Sequence, residues 1–319
     1  MKIIVTGGAG FLGSHLCEEL LKRGDQVVCI DNLLTGDAKN IEHLKDTSNF
    51  QFINHDVSKS LPEILGVDPD LIGADQIYHM ASPASPNKNN STSYQNLPFE
   101  TMTVNTQGTF NLCEFASKLS AKFLFASTSE IYGNPLEHPQ KETYLGNVST
   151  TGPRSVYDEA KRFGETITSA YVRSKGLDGR IIRIFNTYGP KMADDGRVVI
   201  NFVKAALENK PLSVFGDGSQ TRSFCYVLDM VSGIIAAMEK GETGEIYNLG
   251  NPDEFTVLEL AEIVKRLTNS SSQLENLPLP QDDPARRCPD ITKAKEKLAW
   301  EPKVTLEEGL QKLIDYLKI

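Results

Sequence analysis

Short apolar runs alternate with longer stretches of helical periodicity along the first two thirds of the chain. Ile3, Ile4 and Val5 form a β-branched run closed by Thr6, and similar runs recur at 26–30, 50–54, 76–80, 122–126 and 180–185. Runs this short, bounded by polar or turn-forming residues, predict strands covered on both faces. Between them apolar residues return at helical spacing, as at Leu12, Leu16, Leu20 and Leu21 and again at Phe110, Leu112, Cys113 and Phe115 within 99–119. A further helix is expected just after Gly152-Pro153. Strands that alternate with helices call for right-handed crossovers, so the pattern predicts an α/β fold with a doubly wound parallel sheet. Beyond Pro190 the elements shorten. Helices are expected near 199–208, 228–238 and 257–267, strands at 212–215 and 223–227, and an irregular Pro-rich stretch at 273–284. The segment 37–49 reads as a polar loop with a short helix possible, and two helical pieces flank Trp300-Glu301-Pro302. The polar segment 87–95 has no periodicity and reads as a mobile loop.

The first joint carries chemistry. Lys2 to Gly13 reads K-I-I-V-T-G-G-A-G-F-L-G, so Gly8, Gly10 and Gly13 satisfy G-x-G-x-x-G while Gly7, Gly10 and Gly13 satisfy G-x-x-G-x-x-G. Either set lies between a strand and a helix, where glycine lets the backbone turn tightly against a pyrophosphate met by helix N-terminal amides. Asp31 follows Gly10 at roughly the 20-residue spacing of a ribose-binding acid. A carboxylate there repels a 2′-phosphate, so the expected cofactor is NAD rather than NADP. Asp56, at the exit of the third run, is where an adenine amino group could be met. We therefore read 1–190 as a Rossmann-type NAD-binding domain, part of whose sheet is completed by later segments. Residues 191–319 read mainly as a smaller α+β lobe for the substrate.

A second constellation follows the fifth run. Ser127-Thr128-Ser129-Glu130 leaves its carboxyl end, the sheet edge at which ligands bind in open α/β folds. Tyr157 and Lys161 are one helical turn apart and share a face. A neighbouring ammonium lowers a phenol's pKa from about 10 towards the working pH, which would fit Tyr157 for general acid–base work. Asn186-Thr187-Tyr188-Gly189-Pro190 leaves the sixth run at the same edge.

Composition narrows the choice. With 33 Lys+Arg against 42 Asp+Glu the net charge is −9, which argues against nucleic-acid binding driven by phosphate neutralisation. The five cysteines (Cys17, Cys29, Cys113, Cys225 and Cys288) are scattered without a C-x-x-C pair, so neither a metal site nor a disulfide framework is expected. The first strand begins at residue 2, leaving no room for a signal peptide, and no apolar run is long enough to span a membrane. A cytoplasmic location is the expectation.

The combination T-G-G-A-G-F-L-G, S-T-S-E-I-Y-G, Y-D-E-A-K-R, I-F-N-T-Y-G-P and D-G-R-V-V-x-N-F resembles the extended short-chain dehydrogenase/reductases that act on nucleotide sugars. Within them I-N-H-D-V (53–57), A-S-P-A-S-P (81–86), G-S-Q-T-R-S-F (218–224) and Q-D-D-P-A-R-R-C-P-D (281–290) resemble the UDP-glucuronate decarboxylases, over nearly the whole chain. The resemblance implies an NAD site formed by Gly7, Gly10, Phe11, Leu12, Gly13, Asp31, Asn32, Thr35, Gly36, Asp56, Val57, Met80, Ser82, Ala126, Tyr157, Lys161 and Thr187. It implies Tyr157 as base, Lys161 as its partner on the nicotinamide ribose, Thr128 on the sugar 4-oxygen and Glu130 beside the reacting carbons. Asn186, Arg197, Asn201, Gln220, Arg222 and Arg287 would line the UDP-sugar site, and the helices at 99–119 and 154–175 would pair in a homodimer. Ser129 stands where the related 4,6-dehydratases carry an aspartic acid that protonates a departing hydroxyl. Thr103 replaces a lysine usual in the family, and the chain is longer than usual between Asp56 and Asp75 and around 87–95. The rival expectations are a 4,6-dehydratase, a 4-epimerase or a non-catalytic NAD-binding protein.

Overall fold

The computed structural model describes residues 1–59, 73–278 and 286–318. Its centre is a seven-stranded sheet whose spatial order is Ile246–Leu249, Gly179–Ile184, Lys122–Thr128, Gln76–His79, Lys2–Thr6, Gln26–Asp31 and Phe50–Asn54. Every adjacent pair is parallel. The β-branched and aromatic runs supply these strands because each sheet face is covered by helices. On one side Ile3, Val5, Leu16, Leu20, Val231 and Ile234 share a core; on the other Ile4, Ile77, Leu112, Phe123, Phe125 and Ile167 form a second. Strand order reverses beside Lys2–Thr6, with the second and third strands added on one side of it and the fourth, fifth and sixth on the other. A ligand crevice opens at such a reversal, outside the carboxyl ends of the strands.

Four differences from the sequence reading concern this edge. The fifth strand extends through Thr128, which pairs in register with Ile184, so Thr128 is held by the sheet rather than by a loop. Ile246–Leu249, which the pattern did not single out, forms the seventh strand after the helix Val227–Lys240. Four residues interrupted by a polar Asn give little periodic signal; Asn248 is buried because Tyr132 Oη donates to its Oδ1 at 2.8 Å. Leu274–Leu277, read as irregular, pairs in parallel with Leu212–Phe215, since the prolines start only at Pro278. The rest of that Pro-rich stretch, 279–284, lies outside the described residues, as do 60–72 of the lengthened segment before Asp75.

The segment read as a mobile loop is instead pinned to its surroundings. Tyr94 N and Ser93 Oγ both donate to Ser85 O, at 3.1 and 2.9 Å, and Ser85 Oγ donates to Asp195 O at 3.0 Å. Side-chain-to-backbone bonds of this kind give polar residues a fixed conformation without periodicity. The helix that follows runs Pro98–Thr103, passes through a π turn at Val104–Gly108 and continues as Thr109–Leu119. Such turns recur at functional sites. Here Asn105, within the turn, donates to Ser82 Oγ and Thr101 O, both at 2.8 Å.

Candidate active site

A cavity of about 1140 Å³ occupies the crevice. Its floor is the first strand–helix joint. Gly7 has φ +72°, and a Cβ there would meet Ala81 Cα at 2.6 Å; a Cβ on Gly13 would meet Gly7 O at 2.1 Å. Gly7, Gly10 and Gly13 line the cavity, while Gly8 faces the sulfurs of Cys29 and Cys17 behind it. The motif that shapes the cradle is therefore G-x-x-G-x-x-G. Phe11, Leu12, Asn32, Thr35, Gly36, Asp56, Met80, Ser82, Ala126 and Thr187 also reach the cavity. Val57 does not: in the turn after the third strand its side chain packs into the second core with Ile4 and Ile30. Asp31 is buried, with Oδ2 accepting from Ala9 N at 3.0 Å and Oδ1 from Leu33 N at 2.8 Å. Burial raises its pKa and the two amides oppose the rise. Clear backbone at Gly7 and Gly13 with an oriented carboxylate at Asp31 fits a dinucleotide whose ribose hydroxyls approach Asp31.

The constellation from the fifth strand and the helix Ser155–Lys175 forms one wall. Thr128, Ser129, Glu130, Tyr157 and Lys161 all line the cavity. Thr128 Oγ1 accepts from Glu130 N at 3.2 Å and caps the short helical turn Ser129–Tyr132. Tyr157 is buried; desolvation pushes its phenol well above the usual range, and a hydrogen bond with Thr128 works against that rise. This corrects the expectation that Lys161 draws the phenol down. Lys161 Nζ sits 5.8 Å from the Tyr157 ring centroid and donates to Ala126 O at 2.7 Å, and burial lowers its own pKa to about 7. A half-charged ammonium committed to a carbonyl does little for a desolvated phenol.

Glu130 is the electrostatic centre. Arg154 and Arg287 both donate to its carboxylate. Burial would raise its pKa, but the charges of Arg154, Arg287 and Arg222 hold it well below the usual carboxylate range. Arg287 is buried, also donates to Gly133 O at 3.0 Å, and pairs in strand register with Arg222. Asp158, behind this cluster, is pushed up to about 7 by burial and by the charge of Glu130. The remaining substrate-site candidates reach the opposite wall. Arg197 forms a two-point ion pair with Asp195, Asn201 donates to Gly196 O at 3.0 Å, and Gln220 donates to Phe215 O at 2.9 Å; Asn186 lines the cavity beside Thr187.

Sequence reading missed Arg154 and Tyr94. Arg154 lies three residues before Tyr157, on the approach to the same helix, and that proximity was the available signal. Tyr94 carried none, since it sits in an aperiodic polar segment.

The chain matches the NAD dependent epimerase/dehydratase family over residues 3–250. It belongs to that family. It is 52% identical over 315 residues to UDP-glucuronic acid decarboxylase 1 of Arabidopsis thaliana, covering 98% of this chain and 69% of the relative. Among solved structures, UDP-glucose 4-epimerase of Thermotoga maritima superposes with a TM-score of 0.89 at 32% identity, covering 100% of this chain and 99% of the other. UDP-glucuronic acid 4-epimerase of Bacillus cereus, solved with UDP-glucuronic acid and NAD, gives 0.86 at 33% identity with the same coverage. Among the described residues no cluster of His, Cys, Asp or Glu could hold a metal ion, and no helix is long and apolar enough to cross a membrane.

Proposed function

We propose that the protein decarboxylates UDP-glucuronate to UDP-xylose, using NAD as a recycled cofactor. The observation that carries this reading is the convergence of Arg154 and Arg287 on Glu130 beside Thr128 and Tyr157, with a buried Ser129 between. Planar guanidinium groups bind carboxylates at two points, so this end of the cavity suits a sugar that itself bears a carboxylate. Ser129 is far too weak an acid to protonate a departing hydroxyl. Loss of carbon dioxide needs no such acid.

Bound NAD would supply a hydride acceptor for sugar C4 and the hydride for its return. The protein's part is proton handling and orientation. Tyr157 acts as its phenolate, the form that the Thr128 hydrogen bond favours, and takes the 4-hydroxyl proton while Thr128 holds the oxygen, leaving a ketone β to the C5 carboxylate. The bond from C5 to the carboxyl carbon then breaks, its electron pair passes into the enolate, and carbon dioxide departs. A proton from water adds at C5, and Tyr157 gives its proton back to the 4-oxygen. Lys161 and Asp31 orient the two ribose units, and Arg197, Arg222, Asn201, Gln220 and Asn186 surround the UDP portion. The first test is mass spectrometry of products from UDP-glucuronate and dTDP-glucose. UDP-xylose with released carbon dioxide is expected from the first and nothing from the second. UDP-galacturonate, or a 4-keto-6-deoxy sugar from dTDP-glucose, would overturn the assignment.

The finer expectations belong to the same proposal. A homodimer through the helices at 99–119 and 154–175 is supported by exposed Phe110 and Phe163, whose ring centroids lie 6.3 Å apart. A cytoplasmic location agrees with five cysteines that are all buried and unpaired.

A further inference from the structure

Tyr94 is 1% exposed although it stands in a polar, aperiodic segment. Its ring lies flat against that of Tyr157, with centroids 4.9 Å apart and planes within 10°. The backbone that carries it is fixed by the bonds to Ser85 O, and Ser85 is itself tied to Asp195 across the cavity. Tyr94 therefore has little freedom to shift along Tyr157.

Its hydroxyl is the anomaly. Tyr94 lines the cavity, and its Oη is buried with no hydrogen-bond partner. Buried phenols ordinarily find one, because an unsatisfied hydroxyl in a dry place is costly. The stacked neighbour differs: the Tyr157 hydroxyl is bonded to Thr128. The ionisable groups whose charges act on Tyr94 include Arg154, Glu130 and Asp158, the same groups that surround the reacting end of the cavity. Burial drives the Tyr94 phenol upward.

We propose that Tyr94 is a substrate-contacting residue whose hydroxyl donates a hydrogen bond to an oxygen on the sugar ring, while its ring holds the plane of Tyr157. The identity of the sugar rests on the function proposed above; the contact itself needs only an oxygen-bearing sugar beyond the pyrophosphate. It is assigned by the stack and by the empty donor.

The test uses the NAD-loaded protein and Tyr94→Phe, which keeps the ring and removes only the hydroxyl. Calorimetry gives the affinities for UDP-glucuronate and for UDP, steady-state kinetics gives kcat and KM, and a thermal melt reports folding. The expected result is a melting temperature at or above wild type, unchanged UDP affinity, and about a tenfold or greater loss in kcat/KM for UDP-glucuronate. The pH profile of kcat keeps its shape, because the proton carrier is untouched. Wild-type kcat/KM in Tyr94→Phe overturns the proposal. Equal losses for UDP and UDP-glucuronate, or a large drop in melting temperature accompanied by them, overturn it as well, since both signify packing alone. Should the wild type fail to decarboxylate UDP-glucuronate, the functional reading falls but Tyr94 is still judged by binding. A selective loss for UDP-sugars over UDP supports the contact, and an unselective one removes it.

Discussion

Lys161 keeps an ammonium group where charge is penalised. It is 3% exposed, 5.1 Å from the Phe125 ring centroid, and beside His79, which burial holds neutral with a pKa of about 3. Burial lowers the lysine from 10.5 to about 7 and Glu165 only partly offsets it. In the unfolded chain the lysine is protonated below about 10.4, so between there and pH 7 the unfolded state binds more protons and stability rises with pH. The lysine therefore weakens the fold most below pH 7 and not at all above its unfolded pKa. Lys161→Met should melt higher than wild type by about 2 °C or more at pH 6, with the gain fading towards pH 10, and should lose decarboxylation. A lower melting temperature at pH 6 would refute the assigned cause. Tyr157→Phe should keep its fold and NAD binding while turnover falls by about 10²- to 10⁴-fold; retained turnover would remove Tyr157 as the base. Asp31, already oriented by the Ala9 and Leu33 amides, should make NADP bind at least about tenfold more weakly than NAD, and calorimetry giving equal affinities would contradict this.

Two elements hold these side chains in place. The joint before the helix Phe11–Lys22 has no room for a Cβ at Gly13, which would sit 2.1 Å from Gly7 O. Gly13→Ala must therefore displace the loop, and NAD affinity should fall by about tenfold or more while UDP affinity changes little. The other element is the strand Arg286–Arg287 and its continuation. Gln140, fully buried, donates its N–H to Cys288 O and accepts from Cys288 N through Oε1, both at 2.9 Å, and its carbonyl accepts from Asp290 N at 2.8 Å. This clamp fixes the backbone that aims Arg287 at Glu130. Gln140→Leu leaves the Cys288 amide unsatisfied at about 1–3 kcal/mol, so the melting temperature and kcat should fall together. A stable variant with full kcat would show that Arg287 needs no such support.

At the scale of the whole molecule, Phe99, Phe110 and Phe163 are exposed on the two helices proposed to pair. Phe163→Glu should convert a dimer to a monomer in sedimentation equilibrium; a wild-type monomer would end that proposal. The parallel sheet, the glycine joint, Asp31 and the Tyr157–Lys161 pair were legible in the sequence because each is defined within one strand–turn–helix unit or one helical turn. Spacing along the chain fixes spacing in space over such distances. What the chain alone could not give are the pairings made across it. Arg287 reaches Glu130 over 157 residues, Ile246–Leu249 becomes a strand only beside Gly179–Ile184, and Tyr94 finds Tyr157 only once Ser85 and Asp195 have met. The charge states belong to the same class. Lys161 near neutrality, Glu130 held ionised and Tyr157 pushed upward follow from what surrounds each group after the core has closed. Desolvation and field strength are properties of that packed neighbourhood, and no local pattern encodes them.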